Sequence, residues 1–290
     1  MIIITQTIGI DIGGYIKFSC GEKKIAIPNV IGSPTPGWSG FASDTSWINN
    51  LVLIKDEDEY YIGDLARLQS DTKHFIMDQG KLDKLDEVFM LIKSVLPILS
   101  DEEDQDLVLG IGVPLSTDIN KMKELSSKLK GSYTIKIKNE STKEIIEVEK
   151  NIKKALVMPE SYGSYYYQVS KFDGRVVNAQ IISLDLLTEI MTIIEGRIIR
   201  NASVNLVNAS LFTLANKITH ALQHKTNRII NPLSIIKNLK DEIDGVIISG
   251  KKYDIGEIKE HYIKQISNEI VDNIKRAINF IPLDVTIEYY

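Results

Sequence analysis

Ile8-Gly9-Ile10-Asp11-Ile12-Gly13-Gly14-Tyr15-Ile16-Lys17 follows the apolar opening Met1-Ile2-Ile3-Ile4. The β-branched run predicts a buried strand, and the paired glycines predict a sharp turn where positive φ is needed. One carboxylate, backbone N–H groups and one lysine gather at the mouth of that turn. Such a set can hold a magnesium–phosphate group, with amides and ammonium for the anion and Asp11 for the cation or its waters. An ordinary hairpin with solvated Asp11 and Lys17 would have the same sequence, since turns rich in Asp and Gly are common. The later segments bear on that choice.

Bulk properties narrow the class. A chain of 290 residues can bury a large core and suggests two domains. Its 43% hydrophobic and 25% charged content are those of a soluble globular protein. No apolar run approaches the roughly 20 residues that span a bilayer, and no basic region precedes Met1–Ile4, so neither a membrane span nor a signal peptide is expected. The single cysteine, Cys20, excludes an internal disulfide and fits a reducing cytoplasm. It reads as strand packing rather than as a nucleophile. A net charge of −5 argues against direct binding to nucleic acid. His220 and His224 lie one helical turn apart, but without Cys or acid nearby they read as a solvated face. The tyrosines from Tyr162 to Tyr167 carry few interleaved basic residues and read as packing rather than as a base-stacking surface.

Along the chain, Ile25–Pro28 is expected to pair with the first strand. Gly32 to Trp47, with Trp38 and Phe41, reads as a long loop. Leu51–Ile54 and Tyr60–Gly63 form a hairpin, after which Asp64 could cap a helix carrying Leu65 and Leu68. Asp86 to Leu99 has helical apolar spacing, and the acidic stretch Asp101–Asp106 connects it to the strand Leu107–Pro114. Ser116 or Thr117 could cap the next helix. Tyr133–Ile137 and Ile145–Val148 make another hairpin, leading to Ala155–Glu160 and the tyrosine-rich helix. Strands return at Val176–Leu187 and Ile190–Ile194, with a turn at Glu195-Gly196. Helices follow around Leu211–Leu222 and Leu233–Ile243. After a hairpin near Ser249–Lys252 comes the helix Ile255 to Phe280, and Val285–Ile287 is expected as the closing strand. Both halves thus run from strand hairpin to helix and strand, a coarse duplication.

That pattern resembles the actin superfamily, and within it the ParM-related bacterial and archaeal actin-like proteins. Four segments carry the resemblance in order. Asp11–Lys17 resembles the first phosphate loop. Gly110-Ile111-Gly112-Val113-Pro114-Leu115-Ser116 resembles the family's GLP strand end, and Pro159-Glu160-Ser161-Tyr162-Gly163 its PEG connection. Leu184-Asp185-Leu186-Leu187-Thr188-Glu189 sits where the second phosphate loop belongs. The resemblance covers nearly the whole chain. It implies an α/β fold of two actin-like (ribonuclease-H-like) halves, residues 1–170 and 171–290, with a nucleotide cleft between them.

What the resemblance implies about residues is specific. Asp11 would hold magnesium through water, and Glu160 would position attacking water, both as catalytic groups. The alternative for Glu160 is a helix-start acid facing the dipole after Pro159. Gly13, Gly14, Tyr15 and Lys17 would contact ATP or GTP from the first loop, Asp185 and Thr188 from the second. Asn208 would stand where a glycine usually opens the next helix, tolerating left-handed geometry. The departures are equally specific. Five residues rather than six separate Asp11 from Lys17. In the second loop Leu186 and Leu187 replace small residues, where they would crowd a phosphate. The family continues past its last strand with a Gly-Gly turn and helix that hold adenosine, where this sequence stops at Tyr289-Tyr290.

Three functional readings follow. The first is a nucleotide-dependent filament protein, adding subunits head-to-tail and serving plasmid segregation through a DNA-binding adaptor, or cytoskeletal use. The second is a pseudo-ATPase of the same fold acting as a structural or regulatory partner. The third is a small-molecule kinase, for which no substrate-building insert is visible.

Overall fold

The computed structural model describes residues 5–35, 44–78, 81–82, 84–100, 106–171, 174–175, 177–240 and 244–289. Trp38, Phe41 and residues 101–105 lie outside them. The chain divides into two compact units, Met1–Gly163 and Ser164–Tyr290. No helix among the described residues is long and apolar enough to cross a membrane.

The first unit is built on one ten-stranded sheet. Its opening strand β1 (Thr5–Ile12) turns into β2 (Tyr15–Cys20), which turns into β3 (Lys23–Pro28). Alternate residues of β1, Ile8, Ile10 and Ile12, are buried, the period-two signature of a strand with one face in the core. Short β4 (Val30–Gly32) follows, then the expected hairpin as β5 (Leu51–Lys55) and β6 (Asp58–Ile62). Its turn residues Asp56 and Glu57 both have positive φ, the geometry that tight two-residue hairpins demand.

Helix α1 (Asp64–Gln69) starts differently from expectation. Gly63, at φ 61°, is its cap, while Asp64 is already helical and pairs with Arg67. Leu65 is buried but Leu68 is exposed. Strand β7 (Lys73–Phe75) and the pair β8 (Met77–Asp78) and β9 (Lys81–Leu82) lead into α2 (Leu85–Leu99). There Val88, Leu91, Ile92, Val95 and Leu99 recur at helical spacing and are all buried. Truncating one such leucine to alanine costs about 2–5 kcal/mol.

Strand β10 (Asp106–Val113) is followed by α3 (Ile119–Leu129). Asp118, not Ser116 or Thr117, caps α3, its carboxylate accepting from the Asn120 N–H at 2.8 Å. Strands β11 (Gly131–Asn139) and β12 (Ile145–Pro159) form the next hairpin, and α4 (Glu160–Lys171) begins where β12 ends. The sheet runs β3-β2-β1-β10-β12-β11-β5-β6-β4-β7. Strands β1, β10 and β12 are mutually parallel, so their carboxyl ends lie side by side.

The second unit repeats the opening on a smaller scale. Strand β13 (Ala179–Leu184) forms a hairpin with β14 (Thr188–Ile194), which also pairs with β15 (Arg197–Ile198) and β16 (Val204–Leu206). Inside it Gln180 donates to the Thr192 hydroxyl at 3.0 Å, and that hydroxyl donates to Ala202 O at 2.6 Å. A buried amide is thus partly satisfied within the sheet. Helices α5 (Leu211–Thr226) and α6 (Pro232–Lys240), the ribbon of β17 (Gly245–Ile248) and β18 (Lys251–Asp254), and α7 (Gly256–Ile278) follow. Leu214, Ile218, Leu222, Ile235, Ile236 and Ile266 close their common core. The last strand is β19 (Glu288–Tyr289), parallel to β13, rather than the expected Val285–Ile287. The Val285 N–H instead donates to Pro282 O in a turn.

Candidate functional site

The site of the first unit grows from the parallel strand ends. Register places Asp11 of β1 beside Gly112 of β10, and Gly112 beside Met158 of β12. Pro159 closes the β10–β12 ladder, and Glu160 opens α4 at once. Gly112 allows this: a Cβ there would sit 3.1 Å from the Glu160 Cα, so any side chain would push the start of α4 away. Carboxylate oxygens of Asp11 and Glu160 consequently lie within 4.8 Å of each other. In open sheets with parallel strands, ligands gather at the carboxyl ends.

Asp11 is held from the opposite side by the hairpin. Register pairs it with Lys17, whose ammonium reaches one Asp11 oxygen at 2.9 Å. With side chains 44% and 25% exposed, that ion pair contributes about 0–1 kcal/mol. The other oxygen, Oδ1, is sealed from solvent and has no hydrogen-bond partner among the described residues. A buried, unsatisfied carboxylate oxygen is costly unless something binds it. Two carboxylates so placed, one with a vacant lone pair, fit a divalent cation taken directly or through its waters. Magnesium would be held there by Asp11, with Glu160 facing it, supplying charge neutralisation for a phosphate.

The loop itself departs from expectation. Neither Gly13 nor Gly14 lies in the left-handed region, which Gly21 occupies instead. The Gly13 N–H is engaged inside the turn, donating to Tyr15 O at 3.1 Å. Tyr15 is exposed and begins β2. Asn29, only 5% exposed, donates to Gly13 O at 2.7 Å and ties the loop down. Sequence reasoning passed over Asn29. Its signal was one amide inside the apolar run Ile25 to Ile31.

Asp185, Thr188 and Asn208 belong to the second unit. Asp185 is the first residue of the β13–β14 turn. Its N–H donates to Leu187 O at 3.1 Å, and its carbonyl accepts from the Leu211 N–H at 3.1 Å. Thr188 is buried as the first residue of β14, paired with Leu184 and Leu206. Leu186 packs against the unit's core, whereas Leu184 is 67% exposed. Asn208 is exposed and does not take left-handed geometry. The helix is opened instead by Ser210, whose hydroxyl accepts from the Thr213 N–H at 3.2 Å. With that cap in place, no glycine-like residue is required before it.

Comparison with known proteins supplies three findings. A family model described as the N-terminal domain of actin-like proteins matches residues 9–163, more than half of the chain. No curated protein sequence matched. Among solved structures, a ParM filament from Clostridium botulinum is similar at 19% identity, covering 98% of this chain and 88% of the other with a TM-score of 0.71. The archaeal actin homologue Ta0583 in complex with ADP is similar at 15% identity, covering 98% and 86% with a TM-score of 0.73. The actin-like protein Alp7A is similar at 15% identity, covering 99% and 83% with a TM-score of 0.64.

Proposed function

The chain belongs to the actin-like proteins, and on that premise we propose that it binds a nucleoside triphosphate with magnesium and assembles with its own copies into filaments. The observation that carries the reading is the unsatisfied Oδ1 of Asp11, set against the Glu160 carboxylate and braced by Lys17. Asp11 would hold the magnesium of the bound triphosphate. Glu160, at the positive start of α4, would accept a hydrogen bond from water and orient it toward the terminal phosphate. Lys17, already next to Asp11, would shift part of its charge toward the phosphate. The solved ParM filament and the ADP complex of the archaeal homologue support this reading by likeness of fold. Segregation of DNA through an adaptor is the use such filaments would serve.

A second reading, a pseudo-ATPase scaffold, is favoured by a different observation. The Gly13 and Asp185 amides, one in each loop, are both engaged within their own turns. Amides that close a turn are not available to a phosphate without rearrangement.

One experiment separates the two. Purified protein is mixed with magnesium and ATP, GTP or no nucleotide, and light scattering and phosphate release are followed together. Scattering that depends on nucleotide, followed by phosphate release, supports the dynamic filament. Assembly indifferent to nucleotide and without phosphate release leaves the scaffold. In Asp11→Asn, magnesium-dependent nucleotide binding is expected to weaken at least about tenfold, or 1.4 kcal/mol.

A further inference from the structure

Away from Asp11, the first unit has a partly open pocket of about 370 Å³ between α2 and the strands β5 and β11. Its apolar lining includes Leu53, Met90 and Ile135, and its polar lining includes Lys55 and Lys93. The Lys93 ammonium stands 4.7 Å from the ring centre of Phe89 and 4.3 Å from that of Tyr133. The two rings meet edge-on at 5.3 Å and fix its position.

The lining of this pocket includes two lysines and two aspartates. Asp86, which also lines it, is engaged by Lys128 at 2.7 Å. Among the described residues neither Lys93 nor Lys55 has an acidic side chain at ion-pair distance, and the acid whose charge acts on Lys93 is Asp56. The Lys93 ammonium therefore stands against aromatic faces rather than against an acid. Burial pushes the Lys93 ammonium below the usual lysine range, and the charge of Lys55 pushes it further, with Asp56 opposing. A desolvated cation whose close partners are rings gains most from an anion delivered without much water.

We propose that this cavity binds a small organic monoanion, a carboxylate on an apolar body. The carboxylate faces Lys93 and Lys55, and the body lies against Leu53, Met90, Ile135 and Phe89. One ammonium lodged between two rings suits a singly charged carboxylate better than a doubly charged phosphate. The ring-fixed ammonium presents the cation without a further ordering cost. The site is separate from the strand ends that carry Asp11, and it does not rest on nucleotide binding.

The test uses the full chain and the fluorescent probe 8-anilinonaphthalene-1-sulfonate, a monoanion with an apolar body. The expected result is a saturable rise in fluorescence at one dye per chain, reversed by octanoate but not by octanol or inorganic phosphate. Lys93→Met keeps the stem against both rings and should weaken dye binding at least about tenfold, the scale of a lost charge-assisted contact. Lys93→Arg should restore most of it. Lys55→Met, at the exposed end of β5, is the second variant and should weaken binding about threefold by the same loss. Circular dichroism checks that each variant is folded. Absence of a saturable rise, displacement by octanol as effectively as by octanoate, or unchanged binding in both methionine variants would overturn the proposal. None of these variants should alter magnesium–nucleotide binding, so failure here is distinct from failure at Asp11.

Discussion

The β1–β2 turn and the β13–β14 turn are the same device filled with different chemistry. Each spans three residues, Gly13-Gly14-Tyr15 between paired Ile12 and Ile16, and Asp185-Leu186-Leu187 between paired Leu184 and Thr188. In each, the first residue's N–H donates to the third residue's carbonyl at 3.1 Å. In each, the first residue's carbonyl is tethered from outside, by the Asn29 side chain in one and the Leu211 backbone in the other. The flanking pair differs most: Asp11 opposite Lys17 in the first, Ser183 opposite Glu189 in the second. Backbone hydrogen bonding sets the shape of both turns, and side chains alone decide what each could bind.

The comparison can be broken most forcefully at Gly112. Gly112→Val should cost about 1–3 kcal/mol by overpacking and displace Glu160 from Asp11. Gly110→Val, where a Cβ meets nothing, should cost far less. Urea denaturation of the two variants measures the difference. Asn29→Ala removes the first tether, a hydrogen bond to a half-buried carbonyl, and should cost about 0.5–1.5 kcal/mol. The second tether is main chain, so its strength is probed through Ser210→Ala, which uncaps α5 and should cost about 1 kcal/mol in thermal unfolding. Leu184→Ser, at the exposed edge of the second turn, should change stability by no more than about 0.5 kcal/mol. A larger loss would mean that Leu184 is covered in solution.

The legibility of the sequence divides along the same physical line. Strands and helices with strong periodicity, such as the isoleucines of β1 and the apolar face of α2, were readable because burial repeats at their own period. Caps were misplaced at Asp64, Ser116 or Thr117, and Asn208. Several neighbouring polar residues can satisfy a helix start, and backbone geometry chooses among them. The closing strand was shifted by the turn at Pro282–Val285, where hydrophobicity gives no clue. At the candidate site, Asp11, Lys17 and Glu160 were legible as chemistry. The nearness of Asp11 to Glu160, and the role of Gly112 in allowing it, depend on the parallel register of three strands distant in sequence.

The parallel register also has a cost in time. Thr5 pairs with Asp106, so β1 cannot gain its second neighbour until the chain has been made through Val113. At about 5–20 residues per second, a ribosome needs roughly 5–20 s to bridge that gap. Throughout it, β1 and β2 form a hairpin with one long, apolar edge open to any passing strand. The β5–β11 pairing comes later in synthesis, once Lys136 to Asn139 can meet Leu51 to Ile54. Folding of this unit is therefore slow by topology. Its nascent chain is where a strand-capping chaperone has most to do.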